Sequence, residues 1–285
     1  MPTTPVDSQR HAAIHAELVT RVNAGTIEVP VLPQTASQVL AVCNDSSCDA
    51  HKLADLIQRD PSLAGHVLSV ANSTAYAPRE TIVSLSQAIS RLGFRVICDI
   101  ALAVALKGKV FAVRGQEARV KNLWAHSATA GAWAKEIARA RRKNVEGAFL
   151  CGLLHDVGKP ALLQASLELF AAHKLEPDAG KLDEWTHEFH APIGALMLER
   201  WNFPEWMSAA VRFHHDADQA GEHAEHARTA QMADLLAHAS SHPDPQTDAT
   251  LALHPALSDL DIYADEFEAL LAKREKVLEL ARAFH

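Results

Sequence analysis

The chain has 285 residues, 48% of them hydrophobic and 22% charged, which excludes a disordered protein and suffices for one large or two small domains with a sizeable core. The net charge of −8 is uneven: residues 1–143 carry 17 Lys/Arg against 11 Asp/Glu, and residues 144–285 carry 10 against 24. The acidic second half argues against a general nucleic-acid binder, since neutralising phosphates needs a basic face, and nucleic acid is not the expected partner.

Taken in chain order, the elements read as helices. A first helix or extension occupies residues 1–28. Leu53, Leu56 and Ile57 mark one apolar face, with Ser46 and Asp49 as a capping signal in front of it. Asp60-Pro61 starts the next helix, because Asp caps well and Pro suits the first helical position. Ser84 opens a short helix that Gly93 closes, and an apolar run follows from Val96 to Leu106. Further helices are expected near 117–140, 145–154, 160–173, 191–201, 205–215, 224–240 and 264–283, with a loop over 240–255. The run Arg139-Ala-Arg141-Arg142-Lys143 reads as a solvated helix end, and the cluster from Trp201 to Trp206 as core packing. Strand-like alternation and hairpin signals are missing, so the fold class is all-α: a compact helical bundle.

No stretch approaches 18 consecutive apolar residues, and Met1-Pro-Thr-Thr-Pro5 lacks the features of a signal peptide. A cytoplasmic protein without a membrane span is expected. Cys43, Cys48, Cys98 and Cys151 form no C-x-x-C pair and are expected to be reduced thiols, Cys98 and Cys151 in the core.

Histidine is the compositional departure: 17 residues, against two tyrosines. An imidazole-rich, ring-poor chain suggests a metal or acid–base site more than a base-stacking platform. Dipeptides alone prove nothing, since about one His-Asp and one His-His pair are expected by chance, against the two and one present. Context is more telling. In Gly-Leu-Leu-His155-Asp156-Val-Gly-Lys159 an apolar helix ends by delivering an imidazole, a carboxylate and an ammonium. Buried together, the first two need a partner such as a divalent metal, and Lys159 could hold a phosphoryl oxygen. His187, His223, His226, His238, His242 and His254 are expected to face solvent.

This motif resembles that of the HD superfamily of metal-dependent phosphohydrolases. The N-terminal part resembles the HDOD (HD-related output domain) family through Leu32-Pro33, the run from Leu56 to Leu63, Val70-Ala-Asn-Ser73, Ile82, Ser84, Ala88-Ile89 and Leu92-Gly93. The resemblance implies an HD/PDEase-like bundle with an N-terminal helical subdomain. Its HDOD domain would span 29–216, divided into 29–115 and 116–216, with helices of 217–285 completing the bundle. It implies a two-metal ligand set of His126, His155, Asp156, His190, His214, His215 and Asp234, with Asp156 bridging and His190 opening a helix. Asp156 and Lys159 would be the catalytic residues, and Fe, Mn, Ni or Zn the two ions.

The chain also departs from the pattern. The Gly-Tyr-Pro signature of cyclic-dinucleotide phosphodiesterases is missing after His215, Leu-Leu-Ala-His-Ala-Ser-Ser follows Asp234 in place of an Arg-rich segment, and Asn122 stands where a Glu can support a third metal. Two functions are therefore expected in competition: a metal-dependent phosphohydrolase or phosphodiesterase acting on a nucleotide or other phosphoester, and a catalytically silent signalling module that binds a partner protein or nucleotide.

Overall fold

The computed structural model describes residues 5–45, 50–76, 78 and 80–284, and no strand occurs among them. Ser46, Cys48 and Asp49 lie outside the described residues. The N-terminal half contains α1 (Pro5–Asn23), α2 (Gln34–Asn44), α3 (Ala50–Gln58), α4 (Pro61–Ala71), α5 (Leu85–Leu92) and α6 (Phe94–Val110). Asp60 caps α4 by accepting from the amides of Ser62 and Leu63, and Ser84 caps α5 by accepting from that of Gln87. Between these helices Asn72 acts as a two-way clasp. Its side-chain amide donates to the Ile82 carbonyl at 2.8 Å while its oxygen accepts from the Ile82 amide at 2.7 Å.

The second half consists of α7 (Glu117–Ala140), α8 (Val145–Leu154), α9 (Gly158–Ala172), α10 (Ala179–Arg200), α11 (Glu205–Phe213), a 3-10 turn (Ala217–His223) and α12 (Ala224–Ser241), followed by α13 (Pro245–Leu251), α14 (Pro255–Asp259), α15 (Ala264–Leu271) and α16 (Arg274–Ala283). One continuous hydrophobic cluster runs from Ile14 on α1 to Phe284 after α16. Small residues set the spacing of the bundle: a Cβ on Gly152 would lie 2.7 Å from the Ala130 carbonyl oxygen, so α7 and α8 touch almost backbone to backbone. Trp201 is buried and donates to the Pro30 carbonyl at 3.0 Å, tying the segment before α2 to the end of α10.

Several expectations need correction. The helix placed at 191–201 begins at Ala179, capped by Asp178; Pro192, a residue suited to a helix start, lies inside it, and His190 therefore sits within α10 rather than opening it. The expected 240–255 loop contains α13, and the expected 264–283 helix is two, α15 and α16. Arg141 is not solvated: its guanidinium pairs with Glu225 at 2.6 Å and its Nε donates to the Leu260 carbonyl, which locks the α7 terminus to α12. Cys43 and Cys98 are not free thiols but form a disulfide between α2 and α6, which lie side by side with the two Cα atoms 6.1 Å apart. Cys151 is a buried free thiol whose pKa burial pushes up to about 12.

Candidate metal centre

Three helix interiors and two helix ends deliver the seven residues to one place. His126 projects from the middle of α7, His155 and Asp156 occupy the turn between α8 and α9, His190 lies on α10, His214 and His215 follow α11, and Asp234 lies on α12. Gly158 makes this meeting sterically feasible. A Cβ there would stand 2.1 Å from the His190 carbonyl oxygen and 2.6 Å from the Gly194 amide nitrogen, so only glycine lets the His155–Asp156 turn approach α10 so closely.

His155, Asp156, His190 and His214 are at most 1% exposed and Asp234 is 8% exposed, while His126 is half-buried and His215 exposed. His126 Nε2 lies 2.8 Å from Asp234 Oδ1 and 3.7 Å from Asp156 Oδ2, and His155 Nε2 lies 3.4 Å and 3.3 Å from the same two oxygens. On the other side, His190 Nε2 lies 3.3 Å from Asp156 Oδ1, 3.3 Å from His214 Nε2 and 3.0 Å from His215 Nε2. Ligand atoms lie within 4.8 Å of one another in three overlapping groups: His126, His155 and Asp234; His190, His214 and His215; and His155, Asp156 and His214, which links the first two. Asp156 stands between them, one carboxylate oxygen toward each.

Backbone carbonyls fix the ring orientations. His155 Nδ1 donates to Gly152 O at 2.7 Å, His214 Nδ1 to Val211 O at 2.7 Å, and His190 Nδ1 to His187 O at 2.8 Å. Carbonyl oxygens only accept, so each Nδ1 carries the proton and, in the neutral ring, each Nε2 points a lone pair into the site. Burial lowers the pKa of His190 to about 4 and that of His214 well below the usual histidine range, which keeps both rings neutral. Their Nε2 lone pairs therefore face each other at 3.3 Å with no proton between them. In the other group, burial alone would lower the pKa of His155, but Asp156 and Asp234 outweigh it and raise the value to about 10. Burial works to raise both carboxylate pKa values, yet His155 and Lys159 hold Asp156, and His126 and His155 hold Asp234, well below the usual range.

His155 Nε2 and Asp156 Oδ1 are buried without a hydrogen-bond partner. An orphaned carboxylate oxygen, facing imidazole lone pairs and a mixed imidazole–carboxylate donor set are what a divalent transition metal would satisfy, so the residues fit such ions. Lys159 Nζ sits 2.5 Å from Asp156 Oδ2 and is half-buried rather than a surface lysine.

Two histidines expected in solvent border this site. His238 is exposed, yet its Nε2 lies 3.4 Å from Asp234 Oδ1 and its ring centroid 4.3 Å from that of His126. His187 is exposed one turn before His190, its ring centroid 5.7 Å from that of His215. The signal that finds them is helical spacing, since His238 is i+4 from Asp234 and His187 is i−3 from His190. His226 instead packs on Trp206 at 4.6 Å, His254 caps α14, and Asn122 is exposed.

An all-α bundle with an N-terminal helical half and a buried His/Asp cluster defines the class of HD-like helical proteins. Within it the chain belongs to the HDOD family, whose domain matches residues 29–217. Over 205 residues it is 27% identical to an uncharacterized protein of Treponema pallidum, with 68% of this chain covered. The match covers 39% of that relative, so the chain spans about two fifths of its length. Among solved structures, the fold is similar to that of a proposed metal-dependent phosphohydrolase of Shewanella amazonensis SB2B, with a TM-score of 0.76 at 18% identity over 97% of this chain and 100% of the other. It is also similar to an HDOD domain protein of unknown function from Geobacter sulfurreducens, with a TM-score of 0.70 at 20% identity over 98% of both chains. A proposed signal transduction protein of Marinobacter aquaeolei VT8 gives a TM-score of 0.69 at 22% identity over 96% of this chain and 66% of that one. No helix among the described residues is long and apolar enough to cross a membrane.

Proposed function

We propose that this chain is an HDOD signalling protein that carries a binuclear metal centre and acts on a phosphoester as a metal-dependent phosphohydrolase or phosphodiesterase. The observation that carries this reading is the pair of neutral, buried rings of His190 and His214, whose Nε2 lone pairs face each other at 3.3 Å beside the orphaned Asp156 Oδ1. Lone pairs so placed repel unless a cation lies among them. His126, His155 and Asp234 would hold one ion and His190, His214 and His215 the other, with the Asp156 carboxylate within reach of both groups. Fe, Mn, Ni or Zn suits these ligands, and bound ions supply Lewis acidity toward phosphoryl oxygens and lower the pKa of water.

The chain's own groups do the rest. Nδ1 bonds to backbone carbonyls hold the rings of His155, His190 and His214 in place before any ligand arrives. Lys159 orients the Asp156 carboxylate and brings positive charge toward an entering phosphoester. His215 and His238, both exposed, lie at the solvent edge of the cluster, the side from which a substrate would approach.

Hydrolysis of bis(p-nitrophenyl) phosphate by protein prepared in Mn or Fe medium tests this reading. Asp156→Ala, with its helical circular dichroism intact, should lose about 100-fold or more of the rate. Equal rates for wild type and variant overturn the hydrolase. One observation favours a second reading, a silent module that binds a partner protein or nucleotide: the Lys159 ammonium already neutralises Asp156 at 2.5 Å without an ion. In that case His155→Ala with Asp156→Ala leaves the cellular phenotype intact.

A further inference from the structure

A cavity lies away from the histidine cluster, in the cleft where α4 and α6 meet α7 and the end of α16. Its volume is about 1170 Å³, somewhat above the range of about 300–1,000 Å³ usual for ligand sites. Leu63, Val70, Val104, Phe111, Val113 and Trp124 supply apolar wall. On α4, Ser62, His66 and Ser69 follow one another at helical spacing along the rim and are exposed.

Three cations line the same space, Lys107, Arg114 and Lys121, against two acids. Both acids are already engaged: Asp60 accepts from the Ser62 and Leu63 amides, and Glu117 accepts from the Gly115 amide at 2.9 Å. Lys107 Nζ donates to the Phe284 carbonyl at 2.8 Å and stands 5.9 Å from the Trp124 ring centroid. Burial, then the neighbouring Lys121, lowers the Lys107 pKa, so the two ammonium groups repel across the cleft. Lys121 and Arg114 are exposed; Arg114 feels the Glu117 carboxylate, but neither cation makes a salt bridge or side-chain hydrogen bond among the described residues. An anion is the partner these groups fit.

Two further observations point to an occupant. Gly108 lines the cavity from within α6, and a Cβ there would meet nothing within 4 Å, so no packing requires the glycine and any larger residue would project into the space. Moreover, Pro33, Asp60, Ser62, Leu63 and Val70, among the residues that carry the HDOD resemblance of the N-terminal half, line this cleft and not the histidine cluster.

We propose that the cleft is a binding site for a small anionic amphiphile, its phosphate or carboxylate head held between Lys107, Arg114 and Lys121 and its apolar body against Phe111, Val113 and Trp124. The site lies next to the metal centre in sequence: Trp124 lines the cleft, and His126, two residues on in α7, reaches Asp234.

Calorimetric titration of the full chain with dodecyl phosphate and with laurate, both below their micellar concentrations, tests this. At least one of the two should bind ten times tighter or more than dodecyltrimethylammonium, which has the same body and the opposite charge, and than inorganic phosphate, which has no body. Gly108→Trp, which fills the cavity, should weaken binding at least tenfold. Lys121→Glu, on an exposed side chain without a partner, should weaken it at least fivefold, while His214→Ala leaves it unchanged. Equal affinity for the cationic amphiphile, absence of binding by both anions, or Lys121→Glu binding as the native chain does would overturn the proposal.

Discussion

Two helical glycines mark the difference between the two regions of this molecule. At Gly158 an added Cβ would lie 2.1 Å from a backbone oxygen, whereas at Gly108 it would meet nothing within 4 Å. The histidine cluster is built where helices come closest, and the cleft where they part. Close approach brings polar atoms out of water and leaves them to one another, which suits a site that holds ions. Parting leaves apolar wall and an excess of cations open to solvent, which suits a site that takes up and releases a molecule. The helix common to both is α7, through His126 on one side and Trp124 on the other.

The contrast can be broken by substitution, and the largest effect is expected at Gly158. Gly158→Ala forces a side chain into the α10 backbone and should cost about 3 kcal/mol or more in urea unfolding. A cost under about 1 kcal/mol would show that the two helices are not so tightly apposed. An intermediate effect is expected at the far end of α7, where Glu136 pairs with Lys273 at 2.9 Å and with Arg139. Burial works to raise the Glu136 pKa, but Lys273 and Arg139 outweigh it and hold it below the usual value. The resulting stabilisation is complete above the unfolded-state value of about 4.3 and is lost as the pH falls through the lower folded value. Glu136→Gln should therefore cost about 1 kcal/mol at pH 7 and approach zero cost at the acid end of the range, as read from unfolding curves at several pH values. The smallest effect, and opposite in sign, is expected at Gly108. Gly108→Ala adds helix propensity without a clash and should stabilise by about 0.5–1 kcal/mol.

The fold was legible in the sequence where local chemistry decides it. Asp60-Pro61 and Ser84 start helices because the capping oxygen and the proline act within one turn, whatever the rest of the chain does. The His155–Asp156 turn was legible for the same reason, as the polar end of an apolar helix. What escaped depends on contacts distant in sequence. The Cys43–Cys98 bridge joins residues 55 apart, with no spacing signal to announce it. Arg141 reads as one charge in a basic run until Glu225 and Leu260 arrive from α12 and the segment after α14. Pro192 suits a helix start, but α10 runs through it and carries His190 in its interior. His187 and His238 were discounted as exposed, and they are, yet each lies one turn from a residue of the cluster, a relation visible in the spacing alone.

Metal content tests the central claim most directly. Protein purified from Mn- or Fe-supplemented medium and desalted should contain about two transition-metal ions per chain by plasma mass spectrometry, and the His155→Ala, Asp156→Ala double variant should contain almost none. Less than about 0.3 ion per chain in the folded native protein would contradict the binuclear centre.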